Sequence, residues 1–149
     1  MHASEGLMDL ENKQYVVIVQ CHLSVQRCSG YFCEKAFCER SSAFEAYPKD
    51  RPLRVLMMSC GGCSGRAVQR KVAHLLGRLR KHEGIEADQV VVHLSSCMAL
   101  DNHHSPPCPH LADIRTMLDR VGVDVREGTR FSPTAERRRA EGTYRPRRD

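Results

Sequence analysis

Two cysteines separated by two glycines, Cys60-Gly61-Gly62-Cys63, are the part of this 149-residue chain best suited to chemistry. Thiols at this spacing can reach one metal ion or close a small disulfide ring. The glycines remove the β-carbons that would block a tight backbone turn. The apolar run Val55-Leu56-Met57-Met58 precedes the motif, and a helical pattern begins near Arg66, so the turn joins a strand end to a helix start. There, backbone N–H groups and the positive end of the helix point at the sulfurs. That lowers thiol pKa and favours the thiolate, the form that binds metals and attacks as a nucleophile.

Six further cysteines accompany the motif, eight in all. Met1 to Lys13 is polar and mixed in charge, without the basic start and apolar stretch of a signal peptide. No apolar run approaches the ~20 residues needed to span a membrane. A cytoplasmic protein with no membrane partner is therefore expected, and in that compartment clustered cysteines point to metal or redox chemistry ahead of a disulfide framework. The formal charge of +5 misleads, because from Arg126 onward eight arginines face Glu127, Glu136, Glu141 and Asp149. The body of the chain is nearly neutral.

The elements that must position the thiols can be read in order. Tyr15 to Val19 is a continuous apolar run, the mark of a strand covered on both faces, and ends at Gln20-Cys21-His22. Phe32, Ala36 and Phe37 can share a helical face, predicting a helix from about Cys33 to Ser41; Ala43 to Tyr47 either extends it or forms a separate turn. A second strand covers Arg54 to Met58. The next helix carries the stripe Val68, Val72, Leu75, Leu76 and Leu79, and Gly84 suits its stop. Arg66, Arg70, Lys71, Arg78 and Lys81 fall on its remaining surface, read as a solvated face because no aromatic residues interleave it; nucleic acid is an unfavoured partner. A third strand runs from Gln89 to Leu94 and ends at Ser95-Ser96-Cys97. After a loop with Asn102, His103, His104, Pro106 and Pro107, Pro109 suits the first turn of a helix with stripe Leu111, Ile114, Leu118 and Val121, stopped at Gly122. Val123 to Arg126 is a short fourth strand.

This alternation predicts an α/β fold: three layers, α/β/α, with a mostly parallel sheet of about four strands in the order 2-1-3-4. The domain should span 14–131, flanked by a flexible N-terminus over 1–13 and a basic, disordered tail over 132–149. In a parallel sheet all strands end on one edge, where ligands of open α/β sheets bind. Cys21 follows the first strand, Cys60 and Cys63 the second, and Cys97 the third. Cys28 and Cys33 lie in the loop leaving the first strand, and Cys108 in the loop leaving the third. Cys38 alone falls within a predicted helix, as a packing residue or spare thiol.

These residues resemble the CGGC-domain family. The likeness runs from about Tyr15 to Arg130 through Cys21, Cys28-Ser29-Gly30, Cys33, Phe44-Glu45-Ala46-Tyr47, Ser59 to Arg66, His93 to Cys97, Cys108-Pro109-His110 and Gly128-Thr129. The resemblance implies a metal-binding role, with zinc as the metal, on the strength of the family's cysteines and histidines, and no established reaction. Where such proteins end in Gly-Thr-His this chain has Gly128-Thr129-Arg130, so a His ligand there is lost. Ser64 replaces a proline usual after the second Cys.

Three chemistries compete for the thiols. A zinc ion takes four Cys or His ligands, for which Cys60, Cys63, Cys21 and Cys97 are the first choice; a second set can be drawn from Cys28, Cys33, Cys108 and His110. An iron–sulfur cluster uses the same thiolates. Alternatively Cys60 and Cys63 form the attacking and resolving pair of a thiol–disulfide redox enzyme. Lastly, Cys21 and Arg27 have the spacing of a phosphatase anion loop, but Leu23, Val25 and Gln26 are bulky for such a nest. A non-catalytic interaction module is the remaining alternative. Among the histidines, His93 is expected in the core, His74 and His82 in water, and His103 and His104 in a solvated loop.

Overall fold

The computed structural model describes residues 10–100 and 108–132. Four strands, β1 (Tyr15–Gln20), β2 (Arg54–Ser59), β3 (Val90–Leu94) and β4 (Asp124–Glu127), form one sheet in the order β2-β1-β3-β4. Every pairing is parallel, with Val17 opposite Leu56 and Val92, and His93 opposite Arg126. The order, parallel sense and four-strand count match the sequence expectation.

The helices are α1 (Tyr31–Glu39), α2 (Arg66–Glu83), α3 (Ser96–Ala99) and α4 (Leu111–Val121). They cover both faces of the sheet. Alternate residues of β1 separate two cores: Val17 and Val19 join Val68, Val72, Ile114 and Leu118 on the α2/α4 side. Val16 and Ile18 join Phe37, Phe44 and Tyr47 on the α1 side. The central strands β1 and β3 are buried on both faces, which is why they read as unbroken apolar runs. Gly65 lets α2 approach α4 closely: a β-carbon there would stand 3.1 Å from Ile114 Cα.

Some boundaries differ from expectation. The first helix begins at Tyr31, so Cys33 lies inside it and not in the loop before it, and it stops at Glu39, capped by Arg40, whose φ of 54° turns the chain out of helical geometry. Ser42–Phe44 is a separate 3-10 turn, so the helix does not continue through it. The short α3, directly after β3, replaces a predicted loop. The expected loop over 101–107 lies outside the described residues, as do 1–9 and 133–149 of the expected flexible ends. Of the N-terminal segment that is described, Leu10 and Lys13 are each 4% exposed, and the Lys13 ammonium donates to the Asp88 carbonyl at 2.7 Å and faces Asp124 at 3.6 Å.

Candidate functional site

The CGGC turn begins where the β1–β2 ladder ends: the Cys60 N–H donates to the Gln20 carbonyl at 2.9 Å. Gly61 and Gly62 both have left-handed φ, 86° and 75°. A β-carbon on Gly61 would lie 2.4 Å from Ala67 Cβ, and one on Gly62 would lie 2.9 Å from His22 Cδ2. Both glycines are therefore required twice, by dihedral and by space. The turn is tied down by Ser59, whose Oγ accepts the Gly61 N–H at 3.0 Å and sits 3.1 Å from His22 Nδ1. The Lys71 ammonium donates to the Ser59 carbonyl. Lys71 is thus no part of a purely solvated face; it folds back one helical side onto the turn.

The two thiols of the motif differ. Cys60 is buried, and its Sγ accepts the His22 N–H at 3.4 Å. Cys63 is half-buried just before α2, and its Sγ accepts the Ala67 N–H at 3.5 Å. The amides of Ala67, Gly65 and Arg66, with the Arg66 guanidinium, hold the Cys63 thiol below its ordinary pKa. Cys21 and Cys108 pack against the core that contains Cys60. The Cys108 N–H donates to Met98 at 2.8 Å, and its Sγ accepts the His110 N–H at 3.4 Å. Burial pushes the Cys108 thiol up, and the neighbouring Cys60 and Cys21 add to this as like charges. Three thiols from three different loops thus share one neighbourhood, on the α2/α4 side of the sheet.

Cys33 belongs to the other side, packed against the core with Phe37 and Phe44. Its Sγ lies 3.2 Å from Thr129 Oγ1. Thr129 and Ser96 clasp one another, each side-chain oxygen accepting the other's backbone N–H, at 3.2 and 2.9 Å. Cys97 Sγ sits 3.0 Å from Ser95 Oγ, and Cys28 Sγ accepts the Gly30 N–H at 3.4 Å. Burial raises the Cys33 pKa; the Thr129 bond opposes it, and Cys97 and Cys28 raise it further. Beneath the clasp, His93 is buried between the Tyr47 hydroxyl, 2.6 Å from Nε2, and the Gly128 carbonyl, 2.8 Å from Nδ1. The core placement expected for His93 holds.

A family model, the CGGC domain, matches residues 15–130. The chain belongs to the CGGC-domain family. Comparison with curated proteins and with solved structures returned no match. The geometry now explains why the residues of the CGGC pattern are what they are. Tyr47, His93 and Gly128 form one hydrogen-bonded pin; Ser96, Thr129 and Cys33 form the clasp above it; Ser59 and the two glycines shape the turn. The domain match and the eight cysteines fit a metal-binding role.

Cys108 joins Cys60 and Cys21 at the core on the α2/α4 side of the sheet, and Cys33 packs on the α1 side. His110 contributes its main chain, its residue being exposed. Cys38 is exposed and bonded to Glu34 at 3.1 Å, apart from both groups. Arg130 stacks its guanidinium over Phe32, 4.0 Å from the ring centre. The His22 ring lies against Gly62, a contact between loops far apart in the chain that no local pattern reports. His74 and His82 are exposed, as expected.

The loop after β1 spends most of its donors internally: the N–H groups of Val25, Gln26, Arg27 and Cys28 donate to backbone carbonyls of the same loop, and the His22 N–H donates to Cys60 Sγ. A depression of about 480 Å³ lies beside β4, near Arg115, Arg126 and Phe131, and no cysteine lines it among the described residues. Thiol placement, not cavity size, therefore locates the site. Among the described residues no group of three or more His, Cys, Asp or Glu side chains is already arranged to hold a metal ion. All eight cysteines are free thiols, and no helix described is long and apolar enough to cross a membrane.

Proposed function

We propose that this CGGC domain binds a thiophilic metal ion, zinc ahead of an iron–sulfur cluster, through Cys60, Cys63, Cys21 and Cys108, in a reducing, cytoplasmic setting. The observation that carries this reading is the convergence of Cys21, Cys60 and Cys108, from three loops, around the CGGC turn. The donor set fits: sulfur ligands suit Zn²⁺, and the N–H···S bonds to Cys60 and Cys63 are the outer-shell support that metal thiolates use. Each sulfur now holds one weak hydrogen bond or packs on apolar neighbours, so capture involves a change of χ1 rotamer at one or more cysteines. A bound metal would offset the like charges of Cys60 and Cys21 that now add to the upward push on the Cys108 thiol, and would add binding free energy to the fold.

The test is metal and acid-labile sulfide content of protein purified without oxygen. Close to one equivalent of zinc or iron is expected, and its loss in Cys60→Ser/Cys63→Ser. Less than about a tenth of an equivalent of any transition metal would sink the reading.

One observation favours a second reading, dithiol redox chemistry. The Cys63 thiol is held below its ordinary pKa and is half-buried, while Cys60 is buried, as in an attacking and resolving pair. The Cys63 thiolate would attack a disulfide substrate, forming a mixed disulfide and releasing the first product thiolate; the Cys60 thiolate would then attack the Cys63 sulfur and release the second, leaving Cys60–Cys63 oxidised and two substrate thiols reduced. Differential alkylation with and without reductant checks this: absence of any reversible Cys60–Cys63 bond rules it out.

A further inference from the structure

The charges around β4 do not balance. β4 is an outer strand of the sheet, paired with β3. Lys13 and Arg126 both reach one oxygen of Asp124, Oδ2, at 3.6 and 3.2 Å. Arg115 meets Glu127 at 3.1 Å. Three cations thus face two carboxylates. His93, opposite Arg126 on β3, adds no charge near neutrality, because burial chiefly holds its pKa down to about 4. Lys13 is buried and also satisfied by the Asp88 carbonyl. The unmatched donor is on Arg126: Nη2 serves Asp124, while Nε is buried and has no acceptor among the described residues. A buried N–H in that state has lost water and gained no partner.

The same side chain borders the cavity of about 480 Å³, whose other walls are Arg115, Glu127, Val125, Ala43 and Phe131, with His93. Its ionic wall faces an apolar one, a lining that suits a small organic molecule. The apolar rim is held at a conformational cost. Ser42 has a φ of 53°, left-handed for a residue with a β-carbon. Its Oγ accepts the Phe131 N–H at 3.1 Å, and the Ala43 N–H donates to the Thr129 carbonyl at 3.0 Å. Strain of this kind persists where the surroundings fix it. Here it seats Phe131 over Gly128, where a β-carbon would stand 3.1 Å from the ring.

We propose that this cavity binds a small organic carboxylate, with Arg126 gripping the anion and Phe131 lying against its apolar body. Charge selects the ligand class. One carboxylate cancels the single unmatched positive charge, whereas a phosphate dianion would leave the site negative beside Asp124 and Glu127. A guanidinium offers a carboxylate two parallel N–H bonds, and a small rotation of the Arg126 side chain would bring Nε into such a pair. Phe131 is 37% exposed, apolar area that a ligand can cover. Glu127 opposes binding, by its own charge and by engaging Arg115. The CGGC turn follows β2, the opposite outer strand, so this site can be lost or kept apart from the thiols.

The test titrates full-length, reduced protein with sodium benzoate and follows ¹H–¹⁵N NMR spectra that include the arginine Nε–H signals. Benzamide serves as the uncharged isostere and inorganic phosphate as the bare anion. Benzoate should saturate with a Kd of about 1–10 mM, the range for so few atoms, and move the Arg126 Nε–H and the amides of Ala43, Val125 and Phe131. Benzamide and phosphate should each bind at least about tenfold more weakly, and Arg126→Gln should weaken benzoate by the same factor. Glu127→Gln should tighten it by about threefold. Cys60→Ser/Cys63→Ser should leave it unchanged; loss there would tie the response to the thiols and overturn a separate site. Benzamide or phosphate binding as tightly as benzoate refutes carboxylate recognition. Shifts that never saturate, or that spare the Arg126 Nε–H, refute the site itself. Should Arg126→Gln fail to fold, Glu127→Gln decides: benzoate affinity unchanged or weaker in that variant overturns the proposal.

Discussion

Acid should unfasten the His93 pin, and the loss can be worked from its surroundings. The Gly128 carbonyl can only accept, so Nδ1 carries the ring proton and donates to it across 2.8 Å. Nε2 is then a bare lone pair, and it accepts the Tyr47 hydroxyl at 2.6 Å. The ring is 1% exposed, with Phe44 packed 4.5 Å away centre to centre. An added proton would occupy the lone pair and place a cation in this apolar layer. Burial chiefly, with the nearby Arg126 charge, outweighs the Gly128 carbonyl and holds the His93 pKa down from its ordinary 6.5 to about 4. Burial likewise raises Tyr47, keeping the phenol protonated as a donor.

The unfolded chain therefore binds this proton near pH 6.5 and the folded chain only near pH 4. Across that window the unfolded state holds more protons, so stability is full above it and falls as pH falls through it. At about 1.36 kcal/mol per pH unit the loss comes to about 3 kcal/mol, a large share of the 5–15 kcal/mol typical of a domain. Urea unfolding of wild type and His93→Phe at several pH values measures it. The variant should be weaker near neutrality, because Tyr47 and Gly128 each lose a partner at about 1–3 kcal/mol apiece. Its deficit relative to wild type should shrink by about 3 kcal/mol toward pH 4. A deficit constant with pH, or a ring titration by NMR centred near 6.5, would refute the reasoning.

Three further outcomes are expected. Gly62→Ala should destabilise the domain by about 1–2 kcal/mol from its left-handed φ alone and displace the His22 ring; an unchanged melting temperature and His22 NMR signal would contradict this. Thr129→Val should remove the acceptor of the buried Ser96 N–H, lowering stability by about 1–3 kcal/mol, with Thr129→Ser restoring most of it in thermal unfolding. In metal-free, reduced protein, Cys63 should alkylate at lower pH than Cys33 or Cys108, whose thiols are held up by burial; peptide mapping of a short iodoacetamide pulse would show it, and equal rates at neutral pH would count against the amide cage.

Much of the fold was legible because its strongest signals are local. β1 and β3 lie between two layers of helices, and their unbroken apolar runs say so. Gly84 and Gly122 end α2 and α4 in left-handed geometry, as glycine after an apolar stripe implies. The short α3 was not legible: Ser96–Ala99 has no periodicity, and its place is set by distant partners, the Thr129 side chain on the Ser96 N–H and the Met98 carbonyl on Cys108. The start of α1 was missed by two residues because Gly30 admits its close approach to Gln20 and Met57, which no local pattern reports.

The candidate site was legible to the edge of the sheet and no further. Parallel strands guarantee that Cys21, Cys60, Cys63 and Cys97 emerge at one end, but not on which face each side chain settles. That choice is made by contacts between remote segments. Cys97 sits beside the Ser96–Thr129 clasp, and Thr129 lies beyond the last strand, held by the Gly128 N–H on the Leu94 carbonyl at 2.7 Å. Cys108 follows a carbonyl of α3 toward Cys60. A residue two positions past a strand can turn to either face with little local preference, so the tie is broken by which buried N–H most needs an acceptor. Ser96 N–H and Thr129 N–H are buried, and among the described residues each is accepted by the other's side chain. Losing that exchange would leave two buried donors unpaired, a penalty larger than any single thiol contact in the region. The backbone's demand for partners thus decides where the sulfurs go.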